Sequence, residues 1–158
     1  MRCATPLVRL AATMGGRLLL CVMAAAASAA AFPPFNLHWL MWIGLIPLLC
    51  ALSDLRPRDA AAYAGVFGFS FFGLTVHWLW GLFGAFSLSL FVIYALFCAL
   101  FGWLYAHAKA RSSAGAMALL TPTLWVATEY LRAECWALRF GWSALGYSQV
   151  DTPVMQLA

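Results

Sequence analysis

Residues 60–108 read AAAYAGVFGFSFFGLTVHWLWGLFGAFSLSLFVIYALFCALFGWLYAHA and contain no Asp, Glu, Lys or Arg. A hydrocarbon layer about 30 Å thick takes about 20 apolar helical residues to cross, so this run predicts two crossings joined by a turn. The turn is expected around Gly81–Ser87. The first half carries Gly65, Gly68 and Gly73 among aromatics, small positions that let a neighbouring helix approach closely. The second half, FVIYALFCALFGWLYAHA, is apolar on all faces.

The whole chain fits the same medium. Hydrophobic residues make up 65% and charged residues 9%, against about a quarter charged in a soluble domain, so its surface could not be covered with water-compatible side chains. The net charge of +4 does not point to nucleic acid, because the basic residues sit at segment ends instead of on one face. Anionic lipid head groups are the expected counter-charges.

On the N-terminal side, Arg2, Arg9 and Arg17 precede LLLCVMAAAASAAAF. That pattern fits a secretory signal peptide and equally a first span. The hydrophobic chain resumes at once after it, which favours an uncleaved span. Pro33 and Pro34 turn the chain. A second apolar run covers 37–53, with Trp39 and Trp42 as interfacial anchors and Pro47 as the expected kink. Asp54, Arg56, Pro57, Arg58 and Asp59 form a polar loop, and Lys109 and Arg111 form another. A fifth run, 115–131, is expected to be interrupted by Pro122.

The fold class predicted is all-α, a polytopic transmembrane bundle of about five spans (18–32, 37–53, 60–81, 86–108 and 115–131). Before it lies a basic cytoplasmic N-terminus, 1–17, and after it an interfacial segment, 132–158. With the N-terminus inside, Arg2, Arg9, Arg17, Arg56, Arg58, Lys109 and Arg111 are all cytoplasmic, leaving only Arg132 and Arg139 outside, as the positive-inside rule requires. The 132–158 segment then faces the periplasm or its equivalent.

Chemistry-bearing residues concentrate between Trp125 and Gln149, WVATEYLRAECWALRFGWSALGYSQ. Glu129 and Arg132, three apart on a helix, are expected to pair on one face, with Arg139 extending the stripe if the helix continues to Gly141. They read either as a structural ion pair or as a polar doorway for an anionic lipid. Trp142, Tyr147 and Gln149 read either as an interfacial belt or as a docking surface. Gly141 and Gly146 are expected to break the helix and expose loop backbone.

No catalytic residue is assigned: there is no GxSxG, no phosphate-binding glycine loop and no readable carboxylate pair. No cofactor is implied. Cys3, Cys21, Cys50, Cys98 and Cys135 show no zinc-type spacing and read as packing residues. His38, His77 and His107 lie far apart in the expected topology, so no metal site is assigned.

Three stretches together resemble the membrane portion of the apolipoprotein N-acyltransferase family. They are Ala31-Phe32-Pro33-Pro34-Phe35 with Trp39 and Pro47-Leu48-Leu49; Gly65 to Gly73 with His77-Trp78; and Pro122, Trp125, Glu129, Leu131, Arg132, Phe140, Trp142 and Gly146-Tyr147-Ser148-Gln149, with Pro153 and Gln156 beyond. Gly141 and Arg139 stand where the family usually has proline and glycine, and the loop after Trp80 looks shortened.

The resemblance implies a bacterial inner-membrane enzyme that moves an acyl chain from a phospholipid donor to the N-terminal diacylglyceryl cysteine of an apolipoprotein acceptor. The implied chemistry is covalent catalysis by a Glu, a Lys and a Cys on a nitrilase-like domain. None of the three maps onto this chain, so it is expected to be a truncated or fragmentary member with no transferase activity alone. A small transporter or channel subunit, or a structural membrane partner, is the alternative.

Overall fold

The computed structural model describes residues 6–135, 139–150 and 152–153. Arg2, Cys3, Trp136 and Gln156 lie outside the described residues, as does the side chain of Cys135. The described residues are helical, with no strand among them.

A short helix α1 (Pro6–Leu10) leads into α2 (Met14–Ala29). Thr13 caps α2, its hydroxyl accepting from Gly16 N at 3.0 Å, which satisfies one of the amides that a helix start leaves free. The second apolar run is two short helices, α3 (Leu40–Gly44) and α4 (Ile46–Ala51). Pro47 has no N–H to return to Ile43, so the expected kink is a full break at Leu45. Helix α5 (Pro57–Thr75) starts with proline at its first position, where the missing N–H costs nothing. It stops six residues short of the expected boundary at 81: Val76 leaves helical geometry, and Thr75 Oγ1 donates back to Phe71 O at 2.9 Å.

The turn that follows contains α6 (Leu79–Phe83) and a 3₁₀ turn at Gly84–Phe86. Helix α7 (Ser87–Lys109) and helix α8 (Ala114–Tyr130) complete the bundle. Pro122 does not interrupt α8 as expected. The ring leaves the Ala118 carbonyl without its helical donor, while the hydroxyls of Thr121 and Thr123 donate to the carbonyls on either side of it, Met117 and Leu119, at 2.7 and 2.8 Å.

Among the described residues, one segment, Leu79–Lys109, is long and apolar enough to cross a membrane by itself; Met14–Ala29 and Leu40–Ala51 are apolar but shorter. Only 28% of the spanning window is buried, so it is not the core helix of a soluble domain. Leu88, Val92, Leu96 and Trp103 on α7, and Leu19, Val22 and Met23 on α2, all face outward. An apolar surface of this extent matches a membrane-facing one.

Helices α5 and α7 form the tightest pair. A methyl group at Gly68 would lie 2.7 Å from Cys98 Cβ, and one at Gly102 would lie 2.5 Å from the Ala60 carbonyl oxygen. Of the three glycines expected to admit a neighbour, Gly68 does so, Gly65 meets only ordinary contact with Ala99, and Gly73 faces open space. Around this pair the core is aromatic: Phe67 stacks on Phe71 at 5.7 Å, and Trp125 meets Phe67 and Phe101 edge-on at 6.0 and 4.9 Å.

The bundle has two chemically distinct ends. At one, an Arg17 terminal nitrogen donates to the carbonyls of Ala51 and Ser53, and Lys109 pairs with Asp54 at 3.7 Å. At the other, residues 30–39, 76–86, 131–135 and 139–150 meet, and the candidate site is there.

Candidate functional site

The site is the segment 139–149, a loop that ends in a 3₁₀ turn at Leu145–Gln149, folded back over the helix ends and held by buried and half-buried polar groups. Arg132 is 2% exposed. One of its terminal nitrogens donates to Phe140 O at 2.6 Å and Trp142 O at 2.8 Å, while the guanidinium lies 5.0 Å from the centre of the Phe72 ring. Glu129 Oε1 accepts from Leu145 N at 2.8 Å. Charge-assisted bonds of this kind are the strong ones.

The expected Glu129–Arg132 ion pair does not form; among the described residues the one ion pair is Asp54–Lys109. Helix α8 ends at Tyr130 and the backbone opens into a π turn over Leu131–Cys135, which takes the two residues out of simple i, i+3 register. Each charge is instead solvated by loop backbone, with the other close enough to attract it. Nor does Arg139 extend a helical stripe, because it lies outside any helix with φ at +41°.

A second clamp closes the far end of the loop. His38 Nδ1 lies 2.7 Å from the Ser148 carbonyl oxygen; a carbonyl only accepts, so Nδ1 carries the proton. Gln149 Nε2 donates to His38 O and to Ser148 Oγ, both at 3.0 Å. The Gln149 amide is thus occupied by the fold. His38, for which the sequence analysis set aside only a metal role, is a main anchor of the tail; its sole signal was a polar residue just after the proline turn. His77 turns onto Leu74 O, and His107 lies at the opposite end, on Trp103 O.

Between the clamps the loop roofs a cleft of about 640 Å³, walled by Phe32, His77, Trp78, Arg139, Trp142 and Tyr147. Trp142 and Tyr147 remain well exposed, and Trp142 packs edge-on against Trp78 at 5.9 Å. The cleft therefore joins aromatic walls to one cation. Another cleft of about 310 Å³ lies between α4 and α8 and is lined at one side by Glu129 and Gly146. The buried Trp125 indole N–H faces Glu129 without a hydrogen bond of good geometry.

Cys98, Glu129 and Arg132 also line a void of about 20 Å³. That admits one water at most, and no acyl group could reach the thiol.

The glycines do not make the bend. Gly141 and Gly146 have ordinary backbone angles, whereas Arg139 and Ser143 are the loop residues with left-handed φ, +41° and +60°. A non-glycine residue pays about 1–2 kcal/mol for that conformation. Arg139→Gly is therefore expected to raise the stability of the chain in detergent micelles by about 0.5–1 kcal/mol after the extra unfolded-state freedom of glycine is subtracted. Equilibrium unfolding of the two proteins checks this, and a loss of stability would contradict it.

Comparison with known proteins gives one consistent result. The model of the apolipoprotein N-acyltransferase N-terminal domain matches residues 24–158. Proteins named apolipoprotein N-acyltransferase are similar to this chain: that of Methylococcus capsulatus is 36% identical over 139 residues, 81% of this chain and 27% of the relative. That of Pseudomonas putida is 33% identical over 153 residues, 89% of this chain and 30% of the relative. That of Neisseria meningitidis is 33% identical over 152 residues, 88% of this chain and 29% of the relative. The chain thus spans less than a third of the length of these curated relatives.

Proposed function

Because this chain belongs to the apolipoprotein N-acyltransferase family, we propose that it is the membrane region that presents phospholipid and diacylated apolipoprotein to acyl-transfer chemistry at the bacterial inner membrane. Five helical passes, α2, α3 with α4, α5, the Leu79–Lys109 segment and α8, alternate across the bilayer. The basic end faces the cytoplasm, and the segment 132–158 lies on the periplasmic side. The reading is carried by the roofed cleft, which Arg139 lines together with Trp78, Trp142 and Tyr147. A phosphodiester suits the guanidinium, and aromatic rings of this type sit at head-group level.

Glu129 and Arg132 act as positioning residues. They hold the loop backbone that forms the cleft wall, and Gln149 with His38 holds its far end. Trp142 and Tyr147 are the residues that would touch lipid.

Covalent acyl transfer needs a nucleophile beside a base. Here Lys109 pairs with Asp54 at the end opposite Glu129, and Cys98 is buried beside a void of about 20 Å³, too small for an acyl group. The chain alone is accordingly expected to be inactive, with the Glu, Lys and Cys chemistry supplied by a separate catalytic domain. A transport role would require a polar path, whereas Phe67, Phe71, Phe101 and Trp125 close the bundle axis.

The test is a chimaera in which this chain replaces the matching region of the Methylococcus capsulatus relative, assayed with phospholipid and a diacylated lipopeptide. Activity is expected in the chimaera and not in the isolated chain. Arg139→Gly and Trp142→Ala are expected to raise KM for phospholipid by about tenfold, the worth of about 1.4 kcal/mol, even though the first of them stabilises the fold. If both variants leave KM unchanged and alter only thermal stability, the loop is structural and this reading fails.

A further inference from the structure

The basic end of the bundle carries a second cleft, on the opposite side from the transfer site. It measures about 480 Å³ and is walled by Arg56, Arg58, Asp59, Trp103 and His107, with Pro57 beneath. Arg56 and Arg58 are exposed, and neither has a carboxylate within ion-pair distance among the described residues. Arg56 is also the N-cap of α5 and makes no side-chain cap, so the first-turn amides of that helix remain without an intrahelical acceptor. The His107 ring bonds to Trp103 O, and its own carbonyl accepts from Arg111 at 3.3 Å. Asp54 is taken up by Lys109, leaving Asp59 as the acidic group in the cleft.

A second feature lies in line with the first. Along the same α5–α7 seam runs an apolar groove of about 320 Å³, formed by Gly65, Val66 and Phe69 of α5 and by Val92, Leu96 and Ala99 of α7. Positions 92, 96, 99, 103 and 107 share one helical face. At 1.5 Å per residue, the path from His107 to Val92 is about 22 Å, the reach of an extended fatty acyl chain.

A cationic pocket at the membrane interface, continuous in direction with a hydrocarbon groove, has the shape of one amphiphile. We propose that this seam binds a single anionic phospholipid from the leaflet at the basic end, its phosphate between Arg56 and Arg58 and one acyl chain in the α5–α7 groove. Small side chains at Gly65, Ala95 and Ala99 leave the groove open, and Trp103 marks the level where head group gives way to chain. The site is independent of the transfer cleft and does not require the chain to be catalytic.

The test uses the full 158-residue chain in neutral nanodiscs or micelles, with native mass spectrometry and thermal unfolding read against added phosphatidylglycerol, phosphatidylcholine of the same chains, and inorganic phosphate. The wild type is expected to retain phosphatidylglycerol on the order of tenfold better than phosphatidylcholine. In the double variant Arg56→Gln, Arg58→Gln that preference falls to near unity. Leu96→Trp, at an outward-facing groove residue, weakens both lipids and keeps their ratio. Arg9→Gln, a basic residue away from the cleft, leaves the preference intact.

Equal retention of the two lipids by the wild type overturns the proposal without reference to any variant. So does an equal loss in Arg9→Gln, which would mean diffuse charge. Stabilisation by inorganic phosphate as large as that by phosphatidylglycerol would mean a soluble-anion site, and would overturn it as well.

Discussion

Arg132→Met is expected to destabilise the folded chain by about 3 kcal/mol or more, the usual cost of removing one partner from a buried charged cluster. Methionine keeps the bulk of the side chain and its contact with the Phe72 ring. What it removes is the single nitrogen that serves two carbonyls, Phe140 O and Trp142 O. It also removes the cation nearest to Glu129, whose carboxylate holds Leu145 N. Both supports of the loop are therefore weakened together. Equilibrium unfolding in mixed micelles measures the cost, and quenching by a water-soluble quencher, read as the difference from a matched Trp142→Phe chain because seven other tryptophans emit, reports the loop. Arg132→Lys should fall between the wild type and Arg132→Met, because an ammonium keeps the charge beside Glu129 but sits on a different stem from the guanidinium nitrogen that reaches both oxygens. A loss below about 1 kcal/mol, the worth of one ordinary neutral hydrogen bond, would mean that the His38–Gln149 clamp alone seats the tail.

Gly102→Leu is the other large effect. Its first side-chain atom would meet the Ala60 carbonyl oxygen at 2.5 Å and Ala64 Cβ at 2.6 Å. Neither can rotate away, since one is main chain and the other a methyl stub. Helices α5 and α7 would have to part, and the contact of Gly68 with Ala95 and Cys98 would be lost along with it. Overpacking of a well-filled core costs about 1–3 kcal/mol. A leucine against backbone at the tightest seam of this bundle should reach the top of that range or prevent folding. Gly73→Ala provides the control in the same helix pair: it meets nothing within 4 Å, so it is expected to be neutral or to stabilise by about 0.5–1 kcal/mol. Expression level and unfolding midpoint in detergent compare the two. Similar behaviour of both variants would show that α5 and α7 do not depend on close approach.

The two effects differ in how far they could be foreseen. Small residues at 65, 68 and 73 announced a helix contact, yet only Gly68 makes it, and Gly102, which no pattern singled out, is the closer one. Spacing says that a helix face is smooth; it does not say which turn of that face a neighbour will cross. Glu129 and Arg132 were legible as the polar residues that matter, but their pairing was misjudged because the π turn at Leu131–Cys135 leaves no sequence mark. The same holds for Arg139 and Ser143, which carry the left-handed bend that the glycines at 141 and 146 were expected to supply.

The amino-acid sequence by itself determined the medium, the helical class, the placing of charge at segment ends and the family. Transfer from water to hydrocarbon is additive over neighbouring residues, so a local run is enough to reveal it. The tertiary structure decided where those charges go. Arg132, Glu129, His38 and Gln149 each bond to main-chain groups of the tail or its docking turn. Every residue carries a carbonyl and nearly every one an amide, so partners of that kind have no signature in the order of side chains. They are chosen only when the packed helices bring distant backbone within reach.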